Sequence, residues 1–265
     1  MESPSNSVEP VTLNISGHLA SVRLSNPPGN RFTLKTMKRM CDIAEELSTR
    51  DDVRVVWLSA EGEDFCQGAD LKDAELAQRV FGSDDGRREV AELGYKMLTT
   101  WSELPMPTVV SARGRIIGAG AGLVTASDFR VMAAHSALHF PEVDRGMYLS
   151  WGIIGHLTSE LGPSMTRRLA VAGVPCPCEE FPPGFCKVES PQTVDDVARA
   201  QAMILTAKPP LAVRSILATT RALSRGQDVP VEVETQRFCA TTGSSDFKEA
   251  IQSWLEGRPG RYQGE

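Results

Sequence analysis

The sequence lacks any apolar run approaching the ~20 residues that a membrane-spanning helix needs. Its 34 acidic residues outnumber its 28 basic ones, and a net charge of −6 disfavours binding to nucleic acid or to an anionic membrane surface. The N-terminal stretch MESPSNSVEP has neither the blocks of a secretory signal nor the arginines of a transit peptide. We therefore predict a cytoplasmic protein that binds neither nucleic acid nor membrane, with residues 1–9 as a disordered leader.

Patterns that would hold a metal ion are also scarce. Cys176, Cys178 and Cys186 lack C-x-x-C spacing and have no histidine nearby, and the four histidines share no ligand spacing. In a cytoplasmic chain the six cysteines are expected to be reduced. We predict that the protein holds no metal ion and no redox cofactor.

The composition, with 41% hydrophobic and 23% charged residues, is that of a globular protein. Apolar patterning predicts strands at 11–15, 19–24, 53–59, 108–112 and 129–134. It predicts helices at 34–47 (with Thr33 as N-cap), 90–104, 151–161, 194–207, 211–223, 231–239 and 247–255. The polar segment 73–88 is predicted to be a mobile surface excursion. Alternation that gives way to helices indicates an α/β body with a helical tail.

The stretch RIIGAGAGLVTASD, residues 115–128, carries three closely spaced glycines. Their G-x-G-x-G spacing does not match the G-x-G-x-x-G of dinucleotide-binding loops, and no Gly-Lys-Ser/Thr follows as in a P-loop. Glycine destabilises a helix by about 1 kcal/mol relative to alanine, so three of them suggest that the backbone approaches a ligand closely. Backbone N–H groups at a helix start can hold an oxygen that becomes negative during a reaction.

A second segment, EGEDFCQGADLKDAE at residues 61–75, follows the predicted strand at 53–59 in a similar way. It places Gly68, Ala69 and Asp70 at another turn into a helix, where Asp70 either contacts a ligand or caps that helix. Two backbone donors from two such turns would form an oxyanion hole.

Four segments in the same order resemble the crotonase (enoyl-CoA hydratase/isomerase) superfamily. VWLSAEGEDFCQGADL resembles its strand followed by F-C-x-G-A-D-L, and LPMPTVVSARGRIIGAGAGLVTASDFRVMAAHSALHFPEVDRG resembles its central motifs. LGPSMTRRLAVAG resembles the helix that comes next, and DFKEAIQSWLEGRPGRY resembles the closing helix. The resemblance covers about residues 10 to 262.

The resemblance implies an α/β fold: a crotonase-like spiral of ββα repeats over 10–190, and a C-terminal α-helical trimerisation region over 191–265. It implies a homotrimer, or a hexamer formed as a dimer of trimers. It also implies an acyl-CoA substrate or a thioester of an acyl carrier protein. No separate cofactor is expected, since CoA is part of the substrate thioester.

Carried over residue by residue, the resemblance places the oxyanion donors at the N–H groups of Ala69 and Ala119. It places a catalytic carboxyl at Glu142, whose pKa we expect to be raised in a buried pocket. The first of the two glutamates of the hydratases falls on Gly122, which has no side chain. The expected substrate-binding residues are Cys66, Gly68, Asp70, Leu71, Gly118, Gly120 and Tyr148.

One carboxyl suits a Δ3,Δ2-enoyl-CoA isomerase, because the same base can take a proton from C2 and return it at C4. Hydratase or dehydratase activity would need another water base, with Asp144 or Glu75 as candidates. A decarboxylase would need a proton donor, for which Tyr148, His156 and Glu142 are candidates. A non-catalytic binding module with this fold is the alternative of another class.

Overall fold

The computed structural model describes residues 9–265, so residues 1–8 of the predicted leader lie outside the described residues. The strands are β1 Val11–Ser16, β2 Leu19–Leu24, β3 Val55–Ala60, β4 Thr108–Ala112, β5 Arg115–Ile117, β6 Phe129–Ala133, β7 Ala137–His139, β8 Cys176–Pro177 and β9 Lys187–Glu189. The helices are α1 Leu34–Ser48, α2 Ala74–Gly82, α3 Asp84–Ser102, α4 Ala119–Ala126, α5 Ile153–Ala172, α6 Val194–Thr206, α7 Pro210–Ser224, α8 Val231–Thr242 and α9 Ser245–Leu255.

Two sheets organise the α/β body. The larger has the strand order β1-β2-β3-β4-β6-β9 and is parallel except for the β1–β2 hairpin. The smaller has the order β5-β7-β8, in which β5 and β7 run parallel. The central strand β3 is buried along almost its whole length, as its continuous apolar run predicts.

Helices cover both faces of the larger sheet. On one face α1, α3 and α4 join the main core, where Trp101 is fully buried and donates its indole N–H to Ser127 Oγ at 3.1 Å. On the other face α6 buries Ala198 and Ala202 against strand residues such as Val109. The first helix of the predicted 191–265 region therefore packs on the sheet itself.

Most predicted elements are confirmed within one to three residues, and the start of α1 is one example. Thr33 is its N-cap, with Oγ1 accepting a hydrogen bond from the Thr36 N–H at 3.2 Å. Helices α6 to α9 coincide with the four predicted C-terminal helices. Within residues 9–265 the structure has no helix that is long and apolar enough to cross a membrane.

The predicted surface excursion at 73–88 is wrong, because that segment forms α2 and the first turns of α3. Asp73 Oδ1 accepts from the Leu76 N–H at 2.9 Å and caps α2, whereas Ser83 Oγ accepts from the Gly86 N–H at 3.1 Å and caps α3. Leu76 is fully buried, so the polar residues are only the outer face of amphipathic helices. Asp70, considered as a cap for this helix, is not its N-cap.

Candidate active site

Three parallel segments bring the predicted site residues to one edge of the small sheet. Cys66 pairs with Ile116, since its N–H donates to Arg115 O at 3.1 Å and its carbonyl accepts from the Ile117 N–H at 2.9 Å. In β7, Leu138 pairs with Ile116 from the other side. Because these segments are parallel, the chain runs in the same direction from Cys66, Ile116 and Leu138. Residues 69, 119 and 141, each three positions further on, therefore emerge at the same edge, and residue 142 follows.

The contacts at this edge are close. A side-chain carbon at Gly68 would lie 3.3 Å from the Ile117 carbonyl oxygen. A side-chain carbon at Gly118 would lie 2.7 Å from Glu142 Oε1 and 3.8 Å from Gly68 Cα. Gly118 also has φ +51°, a conformation that L side chains rarely adopt. Glycine at 118 therefore allows the two turns and the Glu142 carboxyl to meet.

Two backbone N–H groups stay free at this edge. Within residues 9–265 neither the Ala69 N–H nor the Ala119 N–H donates to an acceptor. Ala119 is the first residue of α4, where unpaired N–H groups carry a partial positive charge. The Asp70 N–H, by contrast, donates to the Phe32 carbonyl at 2.9 Å. Both predicted oxyanion donors are thus N–H groups without an acceptor among the described residues.

Cys66 and Gly120 are buried and support the two donor turns from the protein interior. The Cys66 side chain is fully buried, and its Sγ accepts from the Gly68 N–H at 3.3 Å. A side-chain carbon at Gly120 would collide with Cys66 Cβ, so this pair brings the two turns together. Burial raises the pKa of the Cys66 thiol to about 12, so it stays protonated at neutral pH.

Glu142 follows β7 and begins a single 3₁₀ turn, Val143–Arg145. Its carbonyl accepts from the N–H groups of Arg145 at 3.0 Å and Met147 at 2.9 Å, which anchors the backbone. In its carboxyl, Oε2 is buried and has no hydrogen-bond partner among the described residues. Burial raises the pKa of Glu142, and Arg145 offsets part of that rise. The expected raised pKa is confirmed.

Gly122 lies one turn of α4 after Gly118, and its N–H donates to the Gly118 carbonyl at 2.8 Å. A side-chain carbon there would lie 2.9 Å from Cγ1 and Cδ1 of Ile153 and 3.1 Å from Leu98 Cδ1. The space beside Gly122, where the resemblance places the first glutamate of the hydratases, is therefore filled by apolar side chains.

Trp151 extends this apolar filling. Its indole occupies the space where a side-chain carbon of Gly94 in α3 would lie. The backbone of Trp151 has φ +61°, which is rare for a bulky residue. Sequence analysis did not identify Trp151, Gly94, Leu98 or Ile153 as part of the site. The only signal was a glycine inside the predicted 90–104 helix.

The other predicted substrate-binding residues lie further out. Tyr148 is 75% exposed, on the loop between Glu142 and α5. Leu71 and Asp70 are half-buried beside Ala69, and Asp70 Oδ1 accepts from the Lys72 N–H at 3.2 Å.

The alternative acids and proton donors are poorly placed. Glu75 is exposed and pairs with Arg79 on the surface of α2, and Asp144 is exposed. His156 lines a separate cavity of about 610 Å³ between α3, α5 and α7. Burial lowers the pKa of His156 to about 4, with Arg225 adding to the effect, so its imidazole is neutral near pH 7.

Comparisons with known proteins identify what this chain is similar to. A family model described as enoyl-CoA hydratase/isomerase matches residues 14–265. A Bacillus subtilis (strain 168) protein named as a probable enoyl-CoA hydratase is 24% identical over 259 residues, covering 96% of this chain and 99% of that protein. The trans-2-decenoyl-acyl-carrier-protein isomerase of Streptococcus mutans is 23% identical over 262 residues, covering 96% and 98%.

A solved structure of an enoyl-CoA hydratase from Bacillus anthracis matches with a TM-score of 0.86 at 23% identity, covering 97% of this chain and 100% of that chain. The predicted α/β fold with C-terminal helices is thereby confirmed.

Proposed function

Since this chain belongs to the enoyl-CoA hydratase/isomerase family and is an enzyme of that family, we propose that it is a Δ3,Δ2-enoyl thioester isomerase with Glu142 as its acid–base group. The observation that carries the proposal is the half-buried Glu142 carboxyl, whose Oε2 is the only buried carboxylate oxygen without a partner within residues 9–265, beside two free backbone N–H groups. We assign the oxyanion donors to Ala69 and Ala119.

In the proposed reaction, the thioester carbonyl accepts hydrogen bonds from the Ala69 and Ala119 N–H groups. Glu142 removes a proton from C2, and the electron pair delocalises through C1 onto the carbonyl oxygen as a dienolate. As the carbonyl re-forms, the C1–C2 electron pair moves to form the C2–C3 double bond. The electron pair of the former C3–C4 double bond takes the same proton from Glu142 at C4. A raised carboxyl pKa favours this cycle, because the group must give the proton back as readily as it takes it.

The surroundings of Gly122 disfavour hydration. Adding water needs a base for the water as well as an acid for C2. Ile153 and Leu98 fill the space beside Gly122 where the second carboxyl would lie. The candidate substitutes Glu75 and Asp144 are exposed.

The carrier and assembly belong to the same proposal. We propose an acyl thioester of CoA or of an acyl carrier protein as substrate, and a homotrimer or hexamer as the assembly. Large apolar side chains on the C-terminal helices are exposed in the single chain and support the assembly: Ile216, Leu223, Phe238, Ile251 and Trp254. The division at 190/191, the lack of a metal ion and of a separate cofactor, the lack of nucleic-acid and membrane binding, and the cytoplasmic location stay predictions.

The test is an assay of the purified protein with 3-enoyl-CoA and 2-enoyl-CoA substrates. The wild type should convert 3-enoyl-CoA to 2-enoyl-CoA with little hydration. Glu142→Gln should lose about 10³-fold in kcat, within the range for a lost general base. Glu75→Gln is the matched control, because it removes an exposed carboxyl, and it should retain full activity.

Other outcomes would point to the alternatives. Unchanged isomerisation by Glu142→Gln would refute the role of Glu142, and rapid hydration by the wild type would refute the one-carboxyl argument. CoA binding without turnover of any thioester would favour a non-catalytic module. Loss of CO₂ from a carboxyacyl-CoA would favour a decarboxylase.

A further inference from the structure

An apolar layer lies one helical turn from the proposed oxyanion donor. Gly122 lies three residues after the proposed donor Ala119, about 4.5 Å along the axis of α4. Gly118 faces the Glu142 carboxyl, whereas Gly122 faces Ile153 and Leu98. An acyl chain that passes Glu142 along the start of α4 therefore meets the layer within a few carbon atoms.

Trp151 continues the same layer along α3. Gly94 and Leu98 are separated by four positions, so they share one face of that helix. The Trp151 indole lies directly on the backbone at Gly94, where no larger residue would leave it room. The positive φ of Trp151 persists because this packing over-determines it. The indole is consequently a fixed part of the layer.

The outer side of Trp151 borders open space. A surface cavity of about 530 Å³ is lined by Trp151 together with Tyr95, Tyr148 and Gly152. The Trp151 side chain is half-buried, so it faces this cavity as well as packing against the core. It thus stands between the apolar layer beside Gly122 and the outer cavity.

We propose that Trp151 is a specificity-determining residue that blocks the path of the acyl chain beyond Gly122 and restricts the enzyme to short-chain acyl thioesters. This inference rests on the proposed function, because it takes the thioester carbonyl to lie at the Ala69 and Ala119 N–H groups. Removing the indole would open the space beside Gly94 toward the outer cavity. A longer acyl tail would then extend past Ile153 along α3.

The experiment measures kcat/KM for 3-enoyl-CoA substrates of four to twelve carbons with the full-length wild type, Trp151→Ala and Trp151→Phe. The wild type should prefer four to six carbons and lose about tenfold or more by ten carbons. Trp151→Ala should gain about tenfold on the ten-carbon substrate, while its rate on short substrates changes by less than about threefold. Trp151→Phe should lie between the two.

Phe81→Ala is the control, because it removes a large aromatic side chain that is 69% exposed on α2. Its chain-length profile should equal that of the wild type. Trp151→Phe keeps a large ring on Gly94, so the chain-length series stays interpretable even where Trp151→Ala unfolds.

A binding measurement separates this proposal from the isomerase assignment. Calorimetry with saturated butanoyl-CoA and decanoyl-CoA reads chain length without any turnover. The wild type should bind butanoyl-CoA more tightly, and Trp151→Ala should reverse that order. Inactivity of every variant together with this reversal would refute the isomerase and keep the role of Trp151. Equal or tighter binding of decanoyl-CoA by the wild type, or no change in Trp151→Ala and Trp151→Phe, would overturn the role of Trp151.

Discussion

Gly118, the N-cap of α4, and Gly122, in the first turn of that helix, have neighbours that differ in kind. At Gly118 the missing side chain makes room for the Glu142 carboxyl, and at Gly122 it makes room for Ile153 and Leu98. The two positions share a residue type, and the Gly122 N–H donates to the Gly118 carbonyl at 2.8 Å. What separates them is the strand β7 on one side and the start of α5 on the other. The chemistry available at each glycine therefore depends on the element packed against it.

This difference explains why the protein accommodates a carboxyl at position 142 and none at position 122. The Glu142 carboxyl lies beside the free N–H groups of Ala69 and Ala119, which can hold the negative charge of an enolate. A carboxyl at 122 would be surrounded by the aliphatic side chains of Ile153 and Leu98. An isolated charge in such surroundings is strongly unfavourable.

The largest expected effect comes from placing a carboxyl at Gly122, where the surrounding side chains are apolar. Gly122→Glu should lower the free energy of unfolding by about 4 kcal/mol, because overpacking adds to the burial of an unpartnered carboxyl. Urea denaturation measures it. Gly155→Glu is the matched control, since Gly155 lies on α5 with open space around it. A stable Gly122→Glu protein that hydrates 2-enoyl-CoA would show that the two sides are interchangeable.

The next largest effect is expected at Gly118, beside the Glu142 carboxyl. In Gly118→Ala the added carbon would lie 2.7 Å from Glu142 Oε1 and displace the carboxyl. We expect kcat/KM for isomerisation to fall about 100-fold, which corresponds to about 2.7 kcal/mol. Gly17→Ala carries a similar positive φ with nothing nearby, so it reports the backbone strain alone. Full activity in Gly118→Ala would mean that Glu142 does not need its observed position.

A smaller effect is expected where α3 meets Trp151. Gly94→Ala should destabilise the protein by about 2 kcal/mol, because the indole must leave the space that the new carbon takes. Thermal and urea unfolding measure the change. In the matched control Gly155→Ala, the better helix propensity of alanine should stabilise the protein by up to about 1 kcal/mol. Equal behaviour of the two variants would remove the evidence for a fixed indole.

The smallest effect concerns pH. Because burial raises the pKa of Glu142, its protonated form is favoured in the folded state. That contribution is present below the unfolded pKa and is lost as pH rises through the folded pKa. Glu142→Gln should therefore melt slightly higher than the wild type at neutral pH, and the difference should vanish below about pH 4. A lower melting temperature at neutral pH would mean that the carboxylate is stabilised in the fold.

Local patterns were enough to predict much of the fold. Alternating and continuous apolar runs predicted β1 to β4 and β6, and Thr33 was recognised as a cap from its own neighbours in sequence. Strands β5, β7 and β9 have three residues each, too few for a repeating pattern to show. The segment 73–88 was mispredicted because its polar outer face dominates the composition, whereas its buried contribution is concentrated in Leu76.

The sequence by itself pointed to the family, and through that resemblance it predicted Ala69 and Ala119 as oxyanion donors and Glu142 as the retained carboxyl. These follow from short motifs in which the chemistry lies within a few residues. Only the tertiary structure decided that Ile153 and Leu98 fill the space at Gly122 and that Trp151 lies on Gly94. The reason is physical: such contacts join segments tens of residues apart, and backbone pairing and side-chain packing between α3, α4 and α5 set their geometry.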